Sequence, residues 1–314
     1  MLETRRGFMQ STAAMAARLS VVTVSCAAQP QRGQNQIEST PNSEIRMPKV
    51  KFGSVEVSRL ILGTNPFYGF AHFNSNYGAA MRGWYTPERV VEVLRRCEEL
   101  GVNAYNYVHL GRAQADWERY LAEGGRMRLV AQAVGDDPAE LVRAVKPMAA
   151  WVQGERVDNA YRAGKMDSIR DYCKKLKDLG VAMVGVGSHI PEVLMLVEEQ
   201  GWPVDFYAGC VYNRRRTPEE LRQLLGGELP EMLSEVYLQN DPARMYKVFR
   251  QTRKPCVAFK ILAAGRVAPE QAFQRAFDSI KPADMVCVGM FPRVKDEMKE
   301  DAYYASRYGA ARQS

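Results

Sequence analysis

Histidine is scarce in this chain, three residues in 314, and so is cysteine, six. The cysteines fall at 26, 97, 173, 210, 256 and 287, spacings that match neither a zinc pattern nor a disulfide framework. Cys210, Cys256 and Cys287 lie in apolar, strand-like runs and read as small core residues. No Gly-x-Gly-x-x-Gly follows a first strand, which argues against an open, doubly wound dinucleotide fold. Beyond the leader, no apolar run approaches the roughly 18 residues of a membrane span. The net charge of +7 is scattered, and its only dense basic run, Arg214-Arg215-Arg216, is too short to mark a nucleic-acid surface.

The chain does carry a distinctive start. Thr4-Arg5-Arg6-Gly7-Phe8-Met9-Gln10 has the form of a twin-arginine export signal, which a receptor reads on folded proteins. Ser11–Ala17 and Leu19–Val24 supply the apolar stretch, interrupted by Arg18, and Ser25-Cys26-Ala27-Ala28 supplies small residues for cleavage. Residues 1–28 are therefore read as a removable signal engaging the twin-arginine machinery, with a periplasmic or secreted destination. Val24-Ser25-Cys26 also resembles a lipoprotein box, so attachment through Cys26 is the other reading. Residues 29–47, rich in Gln, Ser, Asn and Pro, read as a disordered linker.

Residues 48–314 suit one large α/β domain, since barrels of about 250 residues are routine. Short β-rich runs at 60–62, 104–106, 129–133, 148–152, 183–186, 206–209, 256–259 and 285–288 alternate with helical patterns. Thr86-Pro87-Glu88 opens one helix, whose stripe Val90, Val91, Val93, Leu94, Cys97 and Leu100 has a 3.6-residue period and stops at Gly101. Asp167 to Leu179 and Thr217-Pro218-Glu219 repeat the pattern. Eight such units predict a (β/α)₈ barrel. Ahead of them, the alternating Val50–Val57 turns at Gly53-Ser54 and predicts a β-hairpin able to close the barrel's bottom.

In such barrels the chemistry sits at the C-terminal ends of the strands. Read that way, the candidate acids, bases and polar anchors are Asn106, Tyr107 and His109 after the second strand, Gln153, Glu155 and Asp158 after the fourth, Ser188 and His189 after the fifth, Tyr212, Asn213 and Arg214 after the sixth, and Lys260 after the seventh. Several have plainer readings. Ser188 or His189 fits as a cap ahead of Pro191, and Glu155 and Asp158 fit as solvated loop acids. Lys260 is harder to dismiss, because burying a lysine without a partner is costly.

Several of these segments, in order, resemble the aldo-keto reductases. Val57-Ser58-Arg59-Leu60-Ile61-Leu62-Gly63-Thr64 is similar to that family's first strand after its hairpin, and Leu100–Asn106 to its second. Leu179–Ser188 is similar to its fifth strand, Val204–Asn213 to its sixth, and Ala263-Ala264-Gly265-Arg266 to the loop after its seventh. The resemblance spans nearly all of 48–304. It implies a carbonyl reductase using NADP, with Ser188, Tyr212 and Asn213 beside the nicotinamide and Lys260, Arg266 and Arg293 near the phosphates. The family's catalytic tetrad of Asp, Tyr, Lys and His is another matter. Its positions fall on Asn106, on Leu110 or Gly111, on Gln132 and on Gln153. All four are replaced, so any catalysis must use other groups, with Asn106, Tyr107, His109, Gln153, Glu155 and His189 the candidates. The expected function is an exported oxidoreductase-like enzyme acting on a carbonyl or sugar-like molecule. The alternatives are a sugar lyase or isomerase on the same barrel, with or without a divalent metal, and a non-catalytic ligand-binding relative.

Overall fold

The computed structural model describes residues 30–229 and 235–310, with side chains from residue 34 onward. The leader, with its paired arginines and Cys26, lies outside the described residues. Within the stretch read as a linker, Pro30–Ser39 forms a helix. Proline at its first turn and a run of Gln and Glu, good helix formers, account for this where polar composition alone suggested disorder. That helix belongs to a separate unit; residues 40–314 form the other.

The hairpin forms as expected from β1 (Lys49–Phe52) and β2 (Val55–Ser58), paired antiparallel with Phe52 opposite Val55. The barrel strands are β3 (Leu60–Gly63), β4 (Ala104–Val108), β5 (Arg128–Ala133), β6 (Ala149–Val152), β7 (Met183–Ser188), β8 (Phe206–Cys210), β9 (Cys256–Phe259) and β10 (Met285–Gly289). They are parallel neighbours in chain order, and β10 returns to β3 to close the barrel. All eight coincide with the sequence-predicted strands to within two residues at either end.

Proline marks the start of many of the surrounding helices. Pro87, Pro138, Pro191, Pro218 and Pro269 each occupy a first-turn position, where the missing N–H has no partner to lose. Thr217 and Glu220 close a reciprocal capping box on the helix Pro218–Leu225. These starts fix where each helix begins after its strand.

The lower barrel interior is filled by Ile61, Val130, Met183, Phe206, Val257 and Met285, and Phe52 and Val57 of the hairpin join that cluster. Phe52 meets Phe206 edge-on at 5.0 Å. The hairpin thus plugs the bottom. Cys97, Cys173, Cys210, Cys256 and Cys287 are free and buried. Among the described residues, no helix is long and apolar enough to cross a membrane.

Arg59 ties the ends of the domain together. It is 5% exposed, and its guanidinium donates to the carbonyls of Asp284 at 2.9 Å, Gly309 at 2.7 Å and Lys281 at 2.9 Å. Arg59→Met should leave those buried carbonyls short of donors and cost about 3 kcal/mol or more. Urea unfolding measures this, and an unchanged midpoint would show that the guanidinium is not the tie.

Candidate active site

Strand alternation decides which candidate residues meet. Along β4, Asn106 points into the barrel while Tyr105 and Tyr107 point outward. Tyr105 packs at 6.0 Å from Trp117, on the helix Ala113–Ala122. Tyr107 is fully buried, and its hydroxyl pairs with Nδ1 of His109 at 2.8 Å. Burial pushes the Tyr107 phenol up. Neither Tyr107 nor His109 lines the cavity at the mouth. Their reading as replacement acids is corrected on that ground: they sit on the wrong side of the strand.

The cavity has a volume of about 400 Å³. Its walls carry the side-chain amides of Asn65, Asn106, Gln132 and Gln153, with Trp151 and Phe259 as apolar faces and His72, His189, Arg214 and Lys260 as basic groups. Trp151, which the sequence reading did not single out, extends inward from β6. Its Nε1 donates to Asn106 Oδ1 at 3.2 Å, and its ring lies 5.5 Å from Phe259. Gly187 makes room for it: a Cβ there would come within 2.2 Å of the indole.

Asp158 is fully buried in the helix Gly154–Arg162, against its reading as a solvated loop acid. Its carboxylate accepts from Ser188 Oγ at 2.5 Å, from the His189 backbone N–H at 3.3 Å and from His189 Nδ1 at 2.7 Å. Gly154 allows the His189 ring this close, since a Cβ would sit 3.2 Å from its Cε1 and Nδ1. Burial holds the His189 pKa below its ordinary value, although Asp158 opposes the shift. The neutral ring donates from Nδ1 to Asp158, which leaves Nε2 as the nitrogen able to take up a proton. Ser188, by contrast, spends its hydroxyl on Asp158 and on Ile190, so it faces the helix rather than the cavity.

His72 comes from the segment after β3, in a left-handed conformation with φ 55°. Its Nδ1 meets Glu235 at 2.8 Å and its Nε2 meets the Asn65 amide at 3.0 Å. Burial, and then Lys260 and Arg214, hold it well below the usual histidine range. Glu235 also pairs with Arg214. No sequence pattern points to His72 or Glu235, which are 163 residues apart. Glu155 reaches the cavity rim, paired with Arg215 at 3.0 Å.

Lys260 follows β9 and lines the cavity. It has φ 64°, and no ion pair or hydrogen bond to its amine is found among the described residues. Burial first, and then the Arg214 charge, bring its pKa down to about 7.

The remaining residues read as cofactor contacts are engaged elsewhere. Tyr212 packs its ring 5.3 Å from Tyr237. Asn213 Oδ1 accepts from the Arg215 backbone at 3.0 Å. Arg266 lies over the rings of Phe73 and Tyr237, and Arg293 is exposed away from the cavity. Dinucleotide phosphates would need free N–H groups and cations after β9 and β10. The Phe291 N–H already donates to Glu297 at 2.5 Å, and Lys295 pairs with Glu300 at 2.5 Å. Burial raises the Glu297 carboxyl to about 7. The Phe291 N–H and the Lys295 amine are thus paired within the chain. Among the described residues, no three His, Cys, Asp or Glu side chains converge to hold a metal ion.

No protein-family model matches the chain, and no curated protein sequence matches it. Solved structures do. A Pseudomonas protein assigned as an aldo-keto reductase shares 14% identity, with 88% of this chain and 99% of that one aligned at a TM-score of 0.56. A second Pseudomonas structure so assigned aligns at 15% identity, 84% and 98% coverage and a TM-score of 0.54. The apo form of Gox0644 aligns at 11% identity, 85% and 95% coverage and a TM-score of 0.50. The chain therefore has the aldo-keto reductase fold, a (β/α)₈ barrel with its candidate site at the mouth.

Proposed function

We propose that the chain is an enzyme that moves a proton on a small, hydroxylated carbonyl compound, with His189 as the general acid and base and Asp158 holding its ring. The observation that carries this reading is the 2.7 Å bond from His189 Nδ1 to a fully buried carboxylate, at the wall of a cavity. A carboxylate behind the imidazole fixes its tautomer and stabilises the imidazolium formed when Nε2 accepts a proton. The amides of Gln132 and Gln153 offer donors and acceptors to hydroxyl groups, and Trp151 offers a flat apolar face. These features support a sugar-like substrate. The reaction class is that of a lyase or isomerase, which needs no dinucleotide.

A reductase using NADP is the second reading, favoured by the fold that this chain shares with proteins assigned as aldo-keto reductases. Against it stand the neutral amides at three tetrad positions and the occupied N–H of Phe291. One assay separates the two. Short ketoses and 3-keto sugars are incubated with the purified chain in D₂O, with and without NADPH, and followed by NMR. Deuterium entering beside the carbonyl without NADPH supports proton transfer. Oxidation of NADPH at ordinary enzymatic rates of about 1–10³ per second, with no exchange in its absence, would replace this reading by the second.

We propose further that the protein works outside the cytoplasm after twin-arginine export. The support is Arg5-Arg6 ahead of an apolar stretch that ends in small residues. Replacing both arginines by lysine should retain the chain in the cytoplasm, measured by cell fractionation. Export of the variant at the wild-type level would refute this.

A further inference from the structure

Lys260 is held at two structural costs. Its backbone is left-handed at φ 64°, a conformation that glycine adopts freely and that strains a residue with a side chain. The strain is shared with Ala263 and Ala264 at φ 50° and 56°, and the turn is closed by the Ala263 N–H donating to the Lys260 carbonyl at 2.9 Å. The second cost is an amine held in the half-buried cavity wall beside the Arg214 charge, with no carboxylate paired to it among the described residues. Glycine would relieve both costs. A lysine kept there indicates that the amine itself is used.

The surroundings suit a free amine. Arg214 follows β8, pairs with Glu235 and disfavours a second cation at Lys260. Cys210 on β8 and Cys287 on β10 face Lys260 as thiols pushed by burial to about 11 and about 12, so neither supplies a counter-charge near neutral pH. His72 and His189, on the other walls, are held neutral. Glu155 at the rim is bound to Arg215. Lys260 is correspondingly lowered to about 7. At pH 7.5 it is free amine several hundred-fold more often than a surface lysine of ordinary pKa about 10.4.

Building on the proton-transfer reading of this site, we propose that Lys260 Nζ is a nucleophile that condenses with the substrate carbonyl to form a protonated imine. The amine lone pair bonds to the carbonyl carbon, and the C=O electron pair takes a proton to give a carbinolamine. Loss of that oxygen as water leaves the iminium. Its positive nitrogen then accepts the electron pair released when a bond to the neighbouring carbon breaks, either C–H or C–C. His189 Nε2 takes or returns the proton. Hydrolysis regenerates the amine, so the cycle needs no oxidant or reductant. The substrate class is an aldehyde or ketone bearing a hydroxyl one or two carbons away, and the reaction is an aldol-type cleavage or a dehydration.

The test is reductive trapping on the full chain. Dihydroxyacetone and sodium borohydride are added at pH 7.5, and peptides are mapped by mass spectrometry. The expected product is an adduct on the Lys260 peptide, of the mass of the probe less one oxygen, formed at least about 100-fold faster than on surface lysines. Lys260→Arg, which keeps a basic side chain but no nucleophilic amine, should lose it. Lys260→Met serves if that variant misfolds. His189→Ala should still be trapped. Labelling spread over surface lysines, or unchanged in Lys260→Arg, overturns the covalent step. Exchange in D₂O that survives Lys260→Arg and fails in His189→Ala overturns the covalent step and leaves the His189 reading standing. Trapping at Lys260 together with exchange that survives His189→Ala does the reverse.

Discussion

His189→Ala is expected to slow deuterium exchange beside the substrate carbonyl by about 10²–10⁴-fold, the usual contribution of a positioned general base. The ring is 7% exposed and is held from behind by the Asp158 carboxylate, so its removal takes away the positioned base. Asp158→Ala should act twice. It leaves the His189 N–H without an acceptor and Ser188 Oγ with only the Ile190 carbonyl, for a stability loss of about 3 kcal/mol or more. It also frees the imidazole to rotate, so exchange should fall with it. Ser188→Ala separates these effects: one hydroxyl lost, about 1 kcal/mol, exchange nearly unchanged. Wild-type exchange by His189→Ala would end the proton-transfer reading.

The second large effect is a gain in stability on removing a functional residue. Lys260 falls from its ordinary 10.5 to about 7 in the folded chain. Below about pH 7 both the folded and the unfolded chain carry this proton, and the fold bears the cost of holding a charge in the half-buried cavity wall. Between about 7 and 10.5 the unfolded chain holds a proton that the folded chain lacks, so wild-type stability rises with pH through that window and then levels. Lys260→Met removes the charge. It should be more stable than wild type by about 3–5 kcal/mol at pH 6, with most of that advantage gone by pH 10. Urea unfolding at the two pH values decides it. An advantage that is equal at both would locate the cost in the backbone turn rather than in the charge.

The barrel was legible because its signals are local. Each strand is a short apolar run, and each following helix announces itself by proline or a capping side chain. The hairpin was legible from its alternation about Gly53-Ser54. Site residues divided by the same alternation. Reading a few residues past each strand gathered inward and outward side chains together, so Asn106 and Gln153 were placed at the cavity while Tyr107, His109 and Ser188 face the helices. Asp158 was misjudged because its partner lies 31 residues on, and no local pattern marks a carboxylate that one turn of helix will bury. His72 and Glu235 depend on two long connections meeting over the mouth. Lys260 could be singled out from sequence alone, since a lysine directly after an apolar barrel strand is placed where burial is costly.

The hairpin beneath the barrel has a kinetic consequence. With Phe52 and Val57 wedged among the interior side chains and Trp151 above them, the described residues close the bottom of the barrel, and the cavity opens at its mouth. Whatever enters must leave by the way it came. If a bond is broken inside, two fragments queue for one exit, and the one released last occupies the place of the next substrate. Such an enzyme is inhibited by its own products in competition with substrate, and its turnover is set by the slower departure as much as by the chemistry.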